Sequence, residues 1–315
     1  MKHQILALAV AALSFTACTN EDNISQDYLA DTPIKLNVSV DEPTTRAGYS
    51  NAELPEGFML SVDHNNTEDD KYNYVVWAKK VGDSWKTYKL NENFGGTDEE
   101  VTMLWANMND KVEVTAFTKF GEITIPTDQT SDEQLKQADV LYMTPTMIDP
   151  SKEGIKVDLQ HAMSKINLTI ELGSEYEFSK EDVDLKIKDV KIDGSLVSAT
   201  VYANGIYDES GVPTPIFPFH TGTTPYSKTG GVITKASATY EAILIPQYIA
   251  SGNFTVSFKV DGKLYEWTYN QNLTLAPNTA YTLKLIAGDD KVQPVSFSVA
   301  EWGKGNGDGE NKETD

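Results

Sequence analysis

A chain of 315 residues, 40% of them hydrophobic, has material for two globular domains of ordinary size. Its 47 acidic residues against 26 Lys and Arg leave a formal charge of −21. Phosphate recognition needs a cationic stripe, so nucleic acid is excluded as a partner, and acids interspersed with lysines read as a solvated surface.

The chain begins "MKHQILALAVAALSFTAC". Lys2 and His3 precede an apolar run from Ile5 to Phe15, too short for a membrane span of about 20 residues. Residues 1–18 therefore read as a secretory signal peptide. Cys18 is the sole cysteine, so an exported chain of this sequence forms no internal disulfide. Phe15-Thr16-Ala17-Cys18 resembles a bacterial lipobox, with Phe15 where Leu or Val is usual. On that reading the Cys18 thiol is acylated, Cys18 becomes the new N-terminus, and several acyl chains hold the precursor durably on the outer membrane. The other reading is an ordinary cleaved signal with a free thiol nearby. The polar run "TNEDNISQDYLADT" after it is a tether; in lipoproteins such acidic residues past the cysteine go with surface exposure.

Beyond the tether, period-2 alternation dominates. "PIKLNVSV" (33–40) puts Ile34, Leu36, Val38 and Val40 on one face and Lys35, Asn37 and Ser39 on the other, the pattern of a half-buried strand. Further strands are expected at 57–62, 72–80, 84–90, 100–106, 111–120, 154–172, 183–192, 195–203, 238–248, 253–260, 263–270, 280–288 and 293–302. Asp261-Gly262 between two alternating runs is a strong hairpin signal, and Asn204-Gly205 and Asp193-Gly194 are similar. One short helical patch stands at Asp132 to Gln137. Many short strands with no βα alternation imply an all-β chain of antiparallel sandwiches. The polar run 173–182 marks a junction between an N-terminal domain, 47–172, and a C-terminal domain, 173–315, whose Gly- and acid-rich end reads as disordered.

Catalytic and metal-binding patterns are missing from the sequence: no G-x-S-x-G elbow, no phosphate-binding loop, no H-E-x-x-H. His64, His161 and His220 match no metal-ligand spacing and read as structural or surface residues. "DHNNTEDD" and "GNGDGEN" lack an EF-hand register and read as solvated loop and tail. Trp77, Trp85 and Trp105 suit a sugar site or, more often for strand tryptophans, a core. No catalytic residue, cofactor or metal is expected, and the chain does not read as an enzyme.

Arg46, in "DEPTTRAGYS", is the only arginine. It follows the first strand in a loop that Pro43 and Gly48 keep out of regular structure. Either lysine-biased composition leaves it there by chance, or it is the single target of an Arg-specific protease. A lipobox signal, a tether, an early strand and an arginine before a small residue resemble the fimbrillin family of Bacteroidales surface pili. So do "VDLQHAMSKINLTIEL" and the ending "LAPNTAYTLKLIAGDDKVQPVSFSVAEW". The resemblance implies two tandem transthyretin-like β-sandwich domains and export as an outer-membrane lipoprotein. It also implies cleavage by an extracellular Arg-specific protease between Arg46 and Ala47, freeing the subunit from its lipid anchor into a fimbrium. Residues 19–46, with the strand carrying Ile34, Leu36, Val38 and Val40, are then removed, and a terminal strand of another pilus subunit takes the vacated groove. Val295, Phe297 and Val299, on one face of the closing strand, are the candidate donor. Burial of the four apolar side chains is worth roughly 1.5–3 kcal/mol each, so the strand leaves only if something replaces it. Strand addition from a neighbour does so, and head-to-tail insertion propagates as a filament. The alternative is a permanently anchored surface lipoprotein that binds glycans, in which Arg46 is incidental.

Overall fold

The computed structural model describes residues 29–40, 48–64, 70–173, 176, 187–202, 205–224, 228–229, 232–233, 236–288 and 291–302. Its strands in chain order are β1 (Leu36–Val40), β2 (Gly57–Asp63), β3 (Tyr74–Val81), β4 (Ser84–Leu90), β5 (Gly96–Glu100), β6 (Val112–Phe117), β7 (Gly121–Thr124), β8 (Leu141–Ile148) and β9 (Ile155–His161). They continue with β10 (Ser164–Leu172), β11 (Ile187–Asp193), β12 (Ser198–Tyr202), β13 (Gly205–Ser210), β14 (Phe219–Thr224), β15 (Lys228–Thr229) and β16 (Val232–Ile233). The last are β17 (Ala236–Leu244), β18 (Gln247–Ile249), β19 (Phe254–Val260), β20 (Lys263–Tyr269), β21 (Leu273–Leu275), β22 (Thr279–Ala287) and β23 (Val292–Glu301). One α-helix, α1 (Asp132–Ala138), lies among them. Ser131 caps it, accepting from the Gln134 N–H at 3.2 Å, and the helix buries Leu135 and Ala138. The fold is all-β.

An eight-stranded sheet runs β1-β9-β8-β6-β2-β3-β4-β5. It curls around one hydrophobic cluster containing Phe58, Leu60, Val114, Trp105, Val157 and Leu159, and β1 comes to lie beside β4 as well as β9. A five-stranded sheet, β14-β17-β10-β22-β23, shares a second cluster with the three-stranded sheet β11-β19-β20. Alternation is the cause. Ile166, Leu168, Ile170 and Leu172 of β10 and Phe254, Val256, Phe258 and Val260 of β19 all point into it. The β19–β20 hairpin turns on Asp261-Gly262, with φ of 51° and 84°, the left-handed pair a tight two-residue turn requires.

Most pairings are antiparallel, but β1–β9 and β10–β22 are parallel. The run expected as one strand over 154–172 is two strands in different sheets, β9 and β10, broken at Ala162-Met163. β10 lies ahead of the 172/173 junction expected from sequence and is hydrogen-bonded to β17 and β22 beyond it. Residues 101–105, expected inside a strand, form a connection instead. Asp193-Gly194 joins strands of two different sheets rather than a hairpin; Gly194 (φ 98°) presses on the Asn253 carbonyl, where a Cβ would stand 2.0 Å away.

Candidate functional site: the edge strand and its anchors

β1 is the edge of the eight-stranded sheet and lies parallel to β9, from Leu36 opposite Ile155 to Val40 opposite Leu159. Val40 is 2% exposed, and Ile34, Leu36 and Val38 are half-buried against the first hydrophobic cluster. Of the eight residues expected as one strand, Ile34 falls just before β1 and does something different. Its N–H donates to the Met103 carbonyl at 2.9 Å, while Asp31 N–H reaches Trp105 O at 2.9 Å and Trp105 N–H reaches Thr32 O at 3.0 Å. Residues 31–34 thus pair antiparallel with 103–105, and the chain then switches partner to β9. Pro33, which has no N–H to donate, sits where the switch is made.

Side chains reinforce the edge. Asn37 Nδ2 donates to the Glu153 carbonyl at 2.7 Å, and Ser39 contacts the Asp158 carboxylate. Partial burial pushes the Asp158 pKa up, but Lys156 and the Ser39 hydroxyl outweigh it and hold the carboxyl below its ordinary value. Gly154 (φ 89°) passes directly beneath Lys35; a Cβ there would stand 2.3 Å from the Lys35 carbonyl oxygen, so no other residue fits. On its open side β1 lines a groove of about 350 Å³ with Leu54, Lys80 and Trp85.

Cys18, Arg46 and Ala47 lie outside the described residues, as do residues 65–69 of the loop "DHNNTEDD", the tail after Trp302 and residues 203–204 of the Asn204-Gly205 turn. The chain on either side of residues 41–47 is firmly held. Val40 N–H donates to Asn51 Oδ1 at 2.8 Å, and Tyr49 N–H donates to Asp139 Oδ2 at 3.0 Å. Gly48 is buried against the same carboxylate, where a Cβ would meet Asp139 Oδ2 at 2.5 Å.

The candidate donor residues lie on β23, the edge of the five-stranded sheet, paired antiparallel to β22. Phe297 is half-buried, with ring centroids 5.0 Å from Tyr269 and 6.1 Å from Tyr281. Val299 is 58% exposed and Val295 50%; Val295 occupies a bulge, left without a register partner between Pro294 and Ser296. Immediately after β23, Trp302 is buried, and its backbone N–H donates to the Asn278 carbonyl at 2.9 Å.

Trp302 stacks flat on His161, centroids 4.1 Å apart and planes 3° apart. His161 Nδ1 lies 3.0 Å from Asp139 Oδ1 and donates to that carboxylate; both side chains are fully buried. Lys165 Nζ is 5.8 Å from the Trp302 ring and 3.2 Å from Glu241 Oε1. Burial pushes the Lys165 amine below its ordinary pKa, and Glu241 only partly restores it. The indole N–H of Trp302 and Nε2 of His161 are buried without a hydrogen-bond partner among the described residues, a cost of about 1–3 kcal/mol each.

The remaining candidates separate. His64 is buried, and burial holds its pKa below 6.5; His220 is on β14. Trp105 is core at 1% exposure, and Trp85 packs on Phe58 with centroids 5.1 Å apart. Trp77 lines a separate depression of about 270 Å³ with Phe94, Phe117 and Phe120. Among the described residues, no three His, Cys, Asp or Glu side chains cluster as a metal site, and no helix is long and apolar enough to cross a membrane.

The described chain is all-β, with β1 at the edge of one sheet and β23 at the edge of another. The fimbrillin-like family profile matches residues 45–302, and the chain belongs to that family of fimbrial subunits. Among solved structures it resembles a candidate cell adhesion protein of Bacteroides ovatus at 16% identity and TM-score 0.57, covering 87% of this chain and 98% of that one. It also resembles a candidate cell adhesion protein of Bacteroides uniformis, at 14% identity, TM-score 0.50 and coverage of 86% and 98%. The tip fimbrial protein Mfa3 of Porphyromonas gingivalis, truncated at its C-terminus, aligns at 10% identity and TM-score 0.45, covering 84% of this chain and 99% of that one. No curated protein matches the chain.

Proposed function

We propose that this chain is a structural, non-catalytic subunit of a cell-surface fimbrium with a role in adhesion. On this reading it is exported as an outer-membrane lipoprotein through Cys18, cut between Arg46 and Ala47, and joined to its neighbours by strand exchange. The observation that carries the proposal is the position of β1: an edge strand, followed within a few residues by the only arginine, with anchored chain on both sides of residues 41–47. Cleavage there removes the lipid anchor and leaves β1 attached only by pairing and packing. Val157 and Leu159 of β9, with Trp105, then form the floor of an open groove suited to an alternating strand.

The donor in this scheme is the C-terminal strand, with Val295, Phe297 and Val299 exchanging one sheet edge for another in the next subunit. Each subunit accepts at its front and donates at its end, so the contact is heterologous and does not close. The transthyretin-like arrangement of two tandem units follows the family resemblance. The adhesion names of the Bacteroides ovatus and Bacteroides uniformis proteins support the role at the cell surface.

Treating the folded precursor with an Arg-specific protease is expected to give one new N-terminus, at Ala47, followed by oligomers, with Arg46→Ala blocking both. A stable monomer after complete cleavage contradicts the strand-exchange reading.

A further inference from the structure

Three segments that matter to the exchange meet at one buried point. Gly48–Tyr49 follow the processing loop, His161 ends the strand on which β1 lies, and Trp302 directly follows β23. Asp139, the C-cap of α1, accepts from Tyr49 N–H and from His161 Nδ1, and His161 stacks on Trp302. We propose that the Asp139–His161–Trp302 cluster is a latch that keeps the C-terminal strand on its own subunit until the processing loop is cut. The proposal rests on the reading above for the meaning of the cut, and it assigns that reading its regulation.

β23 needs such an anchor. It is an edge strand, most of its side chains face solvent, a bulge interrupts it at Val295, and Phe297 is only half-buried. Trp302 is the large, fully buried side chain at its end. The stack is also made to open: the indole N–H and His161 Nε2, buried without partners among the described residues, both gain hydrogen bonds to water when Trp302 leaves.

Coupling to the loop runs through Asp139. Gly48 leaves no room for a side chain against the carboxylate, so movement of residues 48–49 is felt there directly. Cutting after Arg46 turns the residue before Gly48 into a chain end bearing an ammonium. With the chain severed ahead of Gly48, the Tyr49 N–H contact to Asp139 is no longer tethered from the β1 side, and the carboxylate that fixes the His161 ring against the indole loses that hold.

Hydrogen exchange read by mass spectrometry on the full chain, as a dilute monomer, tests the latch. In uncut protein, Trp302→Ala and Asp139→Asn are each expected to speed exchange of the 292–302 peptide at least tenfold. Peptides from β2 and β19 stay unchanged, and Trp302→Phe, which preserves stacking, stays within about threefold of the parent. Cutting the parent at Arg46 is expected to give the same tenfold loss of protection. Unchanged exchange of 292–302 in Trp302→Ala, or on cutting, overturns the latch. Acceleration of all C-terminal peptides together also overturns it, because Trp302 is then a core residue only. Since the readout is made on monomer, it stands whether or not the cut protein polymerises, and the two proposals fail separately.

Discussion

A chain that begins at Ala47 and is offered no replacement strand is expected to melt at least about 15 °C below the chain that keeps residues 29–46, in the transition that reports the eight-stranded sheet. The magnitude follows from what residues 29–40 bury. Leu29 and Val40 are fully buried, and Ile34, Leu36 and Val38 are half-buried. Together they are worth about 5–10 kcal/mol as an upper estimate, against a total stability on the order of 5–15 kcal/mol for a domain. A synthetic peptide of residues 29–40, added at one hundred times its Kd, restores about 2.7 kcal/mol by mass action. The same peptide carrying Leu36→Asp and Val38→Asp is expected to restore nothing. Calorimetry of the three samples decides it. Equal melting with and without residues 29–46 contradicts the role given to β1.

The buried pair of Lys165 and Glu241 carries the second large effect. Lys165→Met is expected to destabilise the five-stranded sheet and its core by about 3–5 kcal/mol, because Glu241 is left charged and buried with no counterion. Glu241→Leu is expected to cost less. Burial already holds the Lys165 pKa down, so without its partner the amine can shed its proton and remain neutral. The double variant is expected to lie within about 1–2 kcal/mol of the parent, since both desolvation penalties disappear with both charges. Urea denaturation of the four proteins completes the cycle. Additive losses in the double variant contradict the assignment of a coupled pair.

Much of this architecture is legible in the residues. The alternation of Ile155, Val157 and Leu159, and of Phe254, Val256 and Phe258, marks core faces that the sheets confirm. Asp261-Gly262 forms the tight turn between β19 and β20 that its dipeptide requires. What alternation cannot carry is direction or partnership. A period of two is the same for parallel and antiparallel strands, so the parallel seat of β1 on β9 is invisible in sequence. The break at Ala162-Met163 lacks Gly or Pro, so β9 and β10 read as one strand until the sheets separate them. The same limit hides the site's anchors. Asp139, His161 and Trp302 are far apart in the chain and carry no shared motif; the one local signal is the Ser131 cap, which fixes where α1 begins and so where Asp139 ends it. Met103–Trp105 reads as a strand because its residues are apolar, yet it serves as the first backbone partner of residues 31–34.

The most direct test is the mass of the subunit recovered from assembled surface fibres. The exchange of β1 for a neighbour's strand predicts a chain that starts at Ala47, with no fragment of residues 29–40 retained in the fibre. Subunits that still carry those residues inside assembled fibres contradict it.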